Sequence, residues 1–128
     1  MEFRVDRSSG VPPYRQVVQQ VTEGLRLGWL RPGTQLPVVR EVVASSGVNA
    51  NTVLKAYREL ELRGVVEIRQ GSGTFVTEQT VAIDAAVLDD LRAELATWAD
   101  RAAAAGLTGG DTEALLRAVL TEKGVANR

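Results

Sequence analysis

The 128-residue chain has room for one small domain, or for one domain with an appendage. It contains neither Cys nor His, which excludes a disulfide framework and a thiolate metal site. It also removes the commonest general base and the commonest transition-metal ligand, so no catalytic residue, metal site or cofactor is expected. The formal charge of −1 hides a small asymmetry. Residues 1–78 carry 10 Lys/Arg against 8 Asp/Glu, a net of +2, and residues 79–128 carry 5 against 8, a net of −3. Binding a polyanion depends on where cations sit more than on overall charge, so a nucleic-acid partner stays open for the first part. No apolar run approaches the roughly 18–20 residues of a membrane span. The start, M-E-F-R-V-D-R, lacks an apolar signal core. A soluble, cytoplasmic protein with no membrane partner is expected.

In chain order, residues 1–10 are polar apart from Phe3 and Val5, a pattern that fits a short strand or a loose arm. Pro12 and Pro13 mark a helix start. Tyr14, Val17, Val18, Val21 and Leu25 then line one helical face, with Gly24 weakening the helix and Gly28 near its end. Pro32-Gly33 signals a turn inside an ordered loop that pins Leu30 and Leu36 inward. Val38–Ser46 reads as a short helix with Val39, Val42 and Val43 facing in and Arg40 and Glu41 facing out. After a connection of about four residues around Gly47 comes a second helix. Asn49 is its natural N-cap, Val53, Ala56, Tyr57 and Leu60 form its buried stripe, and Arg63-Gly64 closes it. Two short helices so joined match a helix-turn-helix. Val65–Arg69 and Thr74–Thr77 read as strands flanking the turn Gln70-Gly71-Ser72-Gly73.

From Thr80 onward the composition becomes Ala-rich, acidic and helical. Leu88, Leu91, Leu95, Trp98 and Ala102 step at heptad spacing, and Ala103–Gly106 ends that helix. The last helix carries Leu115, Leu116, Val119 and Leu120, and its start is either a capping box of Thr108 with Asp111 or an N-cap at Asp111. A hairpin of two such helices is too small to bury its whole apolar face against itself. The expected architecture is therefore mainly α with a small β-hairpin: a winged helix-turn-helix domain over residues 1–78, then a two-helix dimerisation hairpin over residues 79–128.

Four blocks carry a resemblance: P-P-Y-R-Q-V, L-R-P-G-T-Q-L-P-V-V-R-E-V, G-V-N-A-N-T-V-L-K-A-Y-R-E-L-E-L-R-G and G-S-G-T-F-V. In this order and spacing, over roughly residues 11–77, they resemble the winged-helix domain of the GntR family of bacterial transcription regulators. The short two-helix tail looks like that of the YtrA subfamily. The resemblance implies a sequence-specific, DNA-binding regulator, more often a repressor. It implies a homodimer on an inverted-repeat operator, a link to transporter genes, and an unidentified small-molecule effector acting through the tail. Two positions depart from the family pattern. Val38 stands where a small hydroxyl residue is common, which removes an N-cap and about 1 kcal/mol. Ala50 stands where relatives often have a longer residue or proline.

For Arg40, the resemblance implies DNA contact, and a guanidinium can bind guanine in two bonds or clamp a phosphate. The bland alternative is a solvated arginine beside Glu41. Asn49, Asn51 and Thr52 occupy the first turn of the second motif helix, the end that such proteins insert into the major groove. Asn49 serves mainly as the cap, while Asn51 suits an adenine edge and Thr52 a phosphate or a thymine methyl. Lys55 and Arg58 are phosphate candidates with a solvated role as the alternative. Gln70, Gly71, Ser72 and Gly73 form the wing tip, which in relatives reaches the minor groove; a tight turn needs glycine in any case. Leu88, Leu91, Leu95, Trp98, Leu116 and Leu120 are the candidate dimer interface, with an effector pocket as the alternative for Trp98. Two other classes compete. A winged helix used only for protein contact would show an apolar exposed face on the second motif helix, where this chain has Asn, Asn and Thr. An enzyme fused to such a domain would need far more chain.

Overall fold

The computed structural model describes residues 1–79 and 82–125. The chain divides into two compact units, Met1–Ile83 and Asp84–Arg128. Ile83 stays with the first because its N–H donates to the Arg26 carbonyl at 3.0 Å.

The first unit runs α1 (Pro13–Arg26), α2 (Val39–Ser46), α3 (Ala50–Leu62), β1 (Val66–Arg69) and β2 (Gly73–Val76). In α1, Val17, Val18, Val21 and Leu25 are buried and Tyr14 is half-buried, as the periodicity predicts. Gly24 has a use that propensity alone does not reveal. A Cβ there would lie 3.0 Å from the Leu30 side chain, so glycine makes room for the incoming loop. That loop is ordered and pins Leu30 and Leu36 inward, as expected. Gly33 N–H donates to Val76 O and Leu36 N–H to Thr74 O, both at 2.8 Å, so it runs along β2 as a partial third strand.

The N-terminal residues form no strand. They make an arm whose Phe3 is buried in the core. Two glutamines one turn apart on α1 hold it, substituting their amides for a strand partner. Gln20 accepts from Arg4 N–H at 3.0 Å and donates to Arg4 O at 2.7 Å. Gln16, itself buried, accepts from Asp6 N–H at 2.8 Å and donates to Asp6 O at 2.7 Å and Val11 O at 2.8 Å.

The turn between α2 and α3 is three residues, one shorter than expected. Gly47 ends α2 at φ 72°, a left-handed conformation that glycine adopts without strain. Val38 occupies the N-cap of α2 without any side-chain bond, as its side chain dictates. Helix α3 is fixed by buried Val53, Ala56, Tyr57 and Leu60, and it packs on α1, α2 and β1. Its end is a Schellman closure: Gly64 N–H bonds Glu61 O at 2.9 Å and Val65 N–H bonds Leu60 O at 3.2 Å. That closure explains why the first strand starts at Val66 and not at Val65. The hairpin pairs Val66 with Val76 and Arg69 with Gly73, so Gly73 belongs to β2 and Thr77 lies beyond it.

The second unit is two helices, α4 (Ala85–Ala104) and α5 (Gly109–Glu122), packed together. The first helix described in the tail starts at Ala85, and Thr80, where the helical composition begins, lies outside the described residues. Asp84 caps α4 by accepting from Ala86 N–H at 2.8 Å. The start of α5 is the capping box, with Asp111 N–H on Thr108 Oγ1 at 3.1 Å and Thr108 N–H on Asp111 Oδ2 at 3.0 Å.

Tyr57 links α3 to the start of α2 by donating its hydroxyl to the Pro37 carbonyl at 2.6 Å. Burial, helped by Glu41, holds that hydroxyl protonated well above the ordinary tyrosine range. A folded-state pKa raised above the unfolded value stabilises fully below about pH 10 and loses that stabilisation as pH rises further. Tyr57→Phe should therefore cost about 1–2 kcal/mol near neutral pH and flatten the alkaline fall in stability. Urea unfolding of both chains across neutral and alkaline pH checks this; equal stability at every pH would mean the bond contributes nothing.

Candidate nucleic-acid interface

The interface is built on the rotation of α3. At about 100° per residue, Asn51, Lys55 and Arg58 fall on one side and Val53, Ala56, Tyr57 and Leu60 on the opposite side. The second set is buried and the first is exposed. Burying the stripe thus presents the polar side to solvent. Thr52 lies between them and is half-buried. Asn49 is the N-cap, its side chain accepting from Asn51 N–H at 2.8 Å, so its amide oxygen is committed to the helix and its NH2 group points elsewhere.

The charged groups differ in how free they are. Arg40, in the first turn of α2, is exposed and has no ion-pair partner among the described residues. Arg58 is likewise exposed and unpaired among them. Lys55 is less free than its sequence position suggests, because its ammonium sits 4.0 Å from the centre of the Tyr14 ring. An exposed contact of this kind contributes about 0.5–1 kcal/mol and holds the charge at the seam of α1 and α3. Arg63 and Arg69 are paired with Glu59 at 3.7 Å and Glu67 at 3.5 Å, and Arg69 also lies over the Phe75 ring.

At the wing tip, Gln70, Gly71 and Ser72 are exposed, and Gly73 is half-buried at the base of β2. Gly71 has φ 81° and Gly73 φ 132°, so both positions require glycine for the backbone path. The Gln35 side chain donates to Ser72 O at 3.3 Å and occupies the space where a Cβ of residue 73 would stand. Gln35 and Arg7 are two positioning contacts that the sequence does not signal. Arg7 donates to the Gly47 carbonyl at 2.7 Å, in the turn that leads into α3. In the second unit, Leu88, Trp98 and Leu116 are half-buried, while Leu91, Leu95 and Leu120 are exposed at 55%, 49% and 41%.

The model of the bacterial regulatory proteins of the gntR family matches residues 13–76, the span from α1 to the end of β2. The chain belongs to this family. Over 75 residues it is 49% identical to the HTH-type transcriptional regulator Rv1152 of Mycobacterium tuberculosis, covering 59% of this chain and 62% of that protein. Over 76 residues it is 43% identical to the HTH-type transcriptional repressor YtrA of Bacillus subtilis, covering 59% of this chain and 58% of that protein. The match spans about three fifths of the length of these relatives. Among solved structures, YtrA from Sulfolobus acidocaldarius, a GntR-family transcription factor, is 30% identical with a TM-score of 0.53, covering 92% of this chain and 96% of that one. AraR(DBD) in complex with operator ORX1 is 26% identical with a TM-score of 0.55, covering 59% of this chain and 96% of that one. The family and these relatives are regulators, not enzymes, and the winged helix-turn-helix is their fold. Among the described residues no helix is long and apolar enough to cross a membrane.

Asn49→Ala should remove the cap of α3 and lower stability by about 1 kcal/mol. Thermal unfolding of the variant checks this, and an unchanged midpoint would show that the cap bond is not needed to start the helix.

Proposed function

We propose that this chain is a DNA-binding transcriptional regulator whose α3 first turn enters the major groove, with the β1–β2 turn reaching the minor groove. The observation that carries this reading is the division of α3. Its buried stripe orients an exposed side that carries Asn51, Lys55 and Arg58, residue types that recognise base edges and phosphates, with the exposed Leu62 at its far end. Asn51 and Thr52 are assigned to the bases, Arg40 to a base or phosphate, and Lys55 and Arg58 to the backbone. Asn49 holds the helix start, and Gln70, Gly71, Ser72 and Gly73 form the wing contact. The operator-bound AraR(DBD), to which the chain is similar, supports the DNA reading as a whole.

The finer reading is a repressor that acts as a homodimer on an inverted repeat. A dimer is supported by Leu91, Leu95 and Leu120, which leave an apolar strip exposed on the second unit, beside half-buried Leu88, Trp98 and Leu116. Two-fold symmetry would pair two α3 helices on half-sites related by a turn of DNA or more. Repression is the named activity of the YtrA relative from B. subtilis. A small-molecule effector acting through the second unit, and control of transporter genes, complete the proposal.

Binding to promoter fragments of the source genome at about 150 mM salt tests the DNA reading, since phosphate attraction alone is weak there. The chain should retain a subset of fragments selectively, and Arg40→Ala should weaken that binding by about 1–3 kcal/mol with the fold intact. Retention without selectivity would overturn the assignment. Replacing Leu91 and Leu95 together with Asp should give monomers by sedimentation. A variant that still sediments as a dimer would place the interface elsewhere.

A further inference from the structure

We propose that Arg7 is a phosphate contact of the DNA interface, delivered by the N-terminal arm beside the first turn of α3. The inference rests on the DNA reading above and extends it to a segment outside the helix-turn-helix and the wing, and outside the stretch matched by the family model.

The arm is not loose. Phe3 anchors it in the core, and Gln16 and Gln20 hold the backbone of Arg4, Asp6 and Val11 through paired amide bonds. These bonds fix where residue 7 leaves the arm. Its guanidinium then donates one hydrogen bond, 2.7 Å long, to the carbonyl of Gly47. Gly47 lies two residues before Asn49, so a cation is held at the entrance of the helix assigned to the major groove.

The charge itself is uncompensated. The neighbouring carboxylate, Asp6, is turned to Ser8 instead, accepting from its N–H at 2.9 Å and its hydroxyl at 2.7 Å. Those two bonds lower the Asp6 pKa. No ion pair reaches Arg7 among the described residues, whereas Arg63 and Arg69 each have one. A guanidinium carries five N–H donors in a planar fork, and Gly47 uses one of them. Four remain on an exposed side chain whose position is already set, the donor geometry that suits a phosphate. The Gly47 bond orders this long side chain before DNA arrives, which reduces the entropy lost on binding.

The competing role is local: Arg7 caps a carbonyl and does nothing more. Glutamine and lysine separate the two roles through the charge: Arg7→Gln removes it and, with a side chain two bonds shorter, gives up the Gly47 bond as well, while Arg7→Lys keeps the charge. The experiment measures affinity of the whole chain for a selected operator and for an unrelated duplex across a range of salt. If Arg7 binds a phosphate, Arg7→Gln should flatten the slope of log affinity against log salt by about 0.9 per protomer and weaken both duplexes alike. Arg7→Lys should restore most of the slope. Unfolding of both variants accompanies the measurement, so that a loss of fold is not mistaken for a lost contact. A folded Arg7→Gln protein with the wild-type slope would overturn the proposal and leave the DNA reading standing. A wild-type chain that fails to distinguish any operator would overturn both.

Discussion

The packing of one helical stripe governs the rest of this molecule. Val53, Ala56, Tyr57 and Leu60 are buried in the core that α1 and α2 supply, and this fixes both the position and the rotation of α3. Rotation is the variable that matters, because a turn of the helix by one residue would swing Asn51 away and bring an apolar side chain to the surface. The same packing explains why the core is worth protecting with polar ties. Tyr57 reaches the Pro37 carbonyl, Gln16 and Gln20 hold the arm, and Arg7 holds the turn before α3. Each tie joins a segment to an element that touches the stripe.

Much of this was legible in the sequence. Helices of the first unit follow from apolar spacing, and their ends from Pro13, Gly28, Gly47, Asn49 and Gly64, residues whose backbone or side-chain chemistry works at such positions. What was not legible depends on partners far along the chain. Gln16 and Gln20 look like ordinary polar positions at the edge of an apolar stripe until the arm is laid beside them. Gly24 reads as a weak point of α1, and only the arrival of Leu30 gives it a reason. The loop at Gly33–Leu36 pairs with a strand about 40 residues later, which periodicity over a short window cannot foresee. Strand boundaries shifted for a local reason: the closure of α3 uses the Val65 amide before the hairpin can.

The candidate site was legible as residue types, and the structure refines how available each one is. Arg40, Asn51 and Arg58 stand exposed. Lys55 is engaged with Tyr14, and Asn49 with the helix start, so their contributions to a ligand are narrower than their positions suggest. Arg7 moved the other way, from an unremarked polar residue to one held beside the first turn of α3. Of the exposed leucines of the second unit, Leu91 and Leu95 follow the heptad spacing of α4, and a partner copy is the proposed reason for leaving them uncovered.

The central claim is that the first turn of α3 reads DNA sequence. Selection of bound sequences from a random duplex pool, run in parallel with the wild-type chain and Asn51→Ala, tests it most directly. The account predicts an inverted repeat for the wild type, with preference relaxed by the variant at one symmetry-related position in each half-site and kept elsewhere. Identical selected sequences for the two proteins, or no enriched sequence for the wild type, would contradict it.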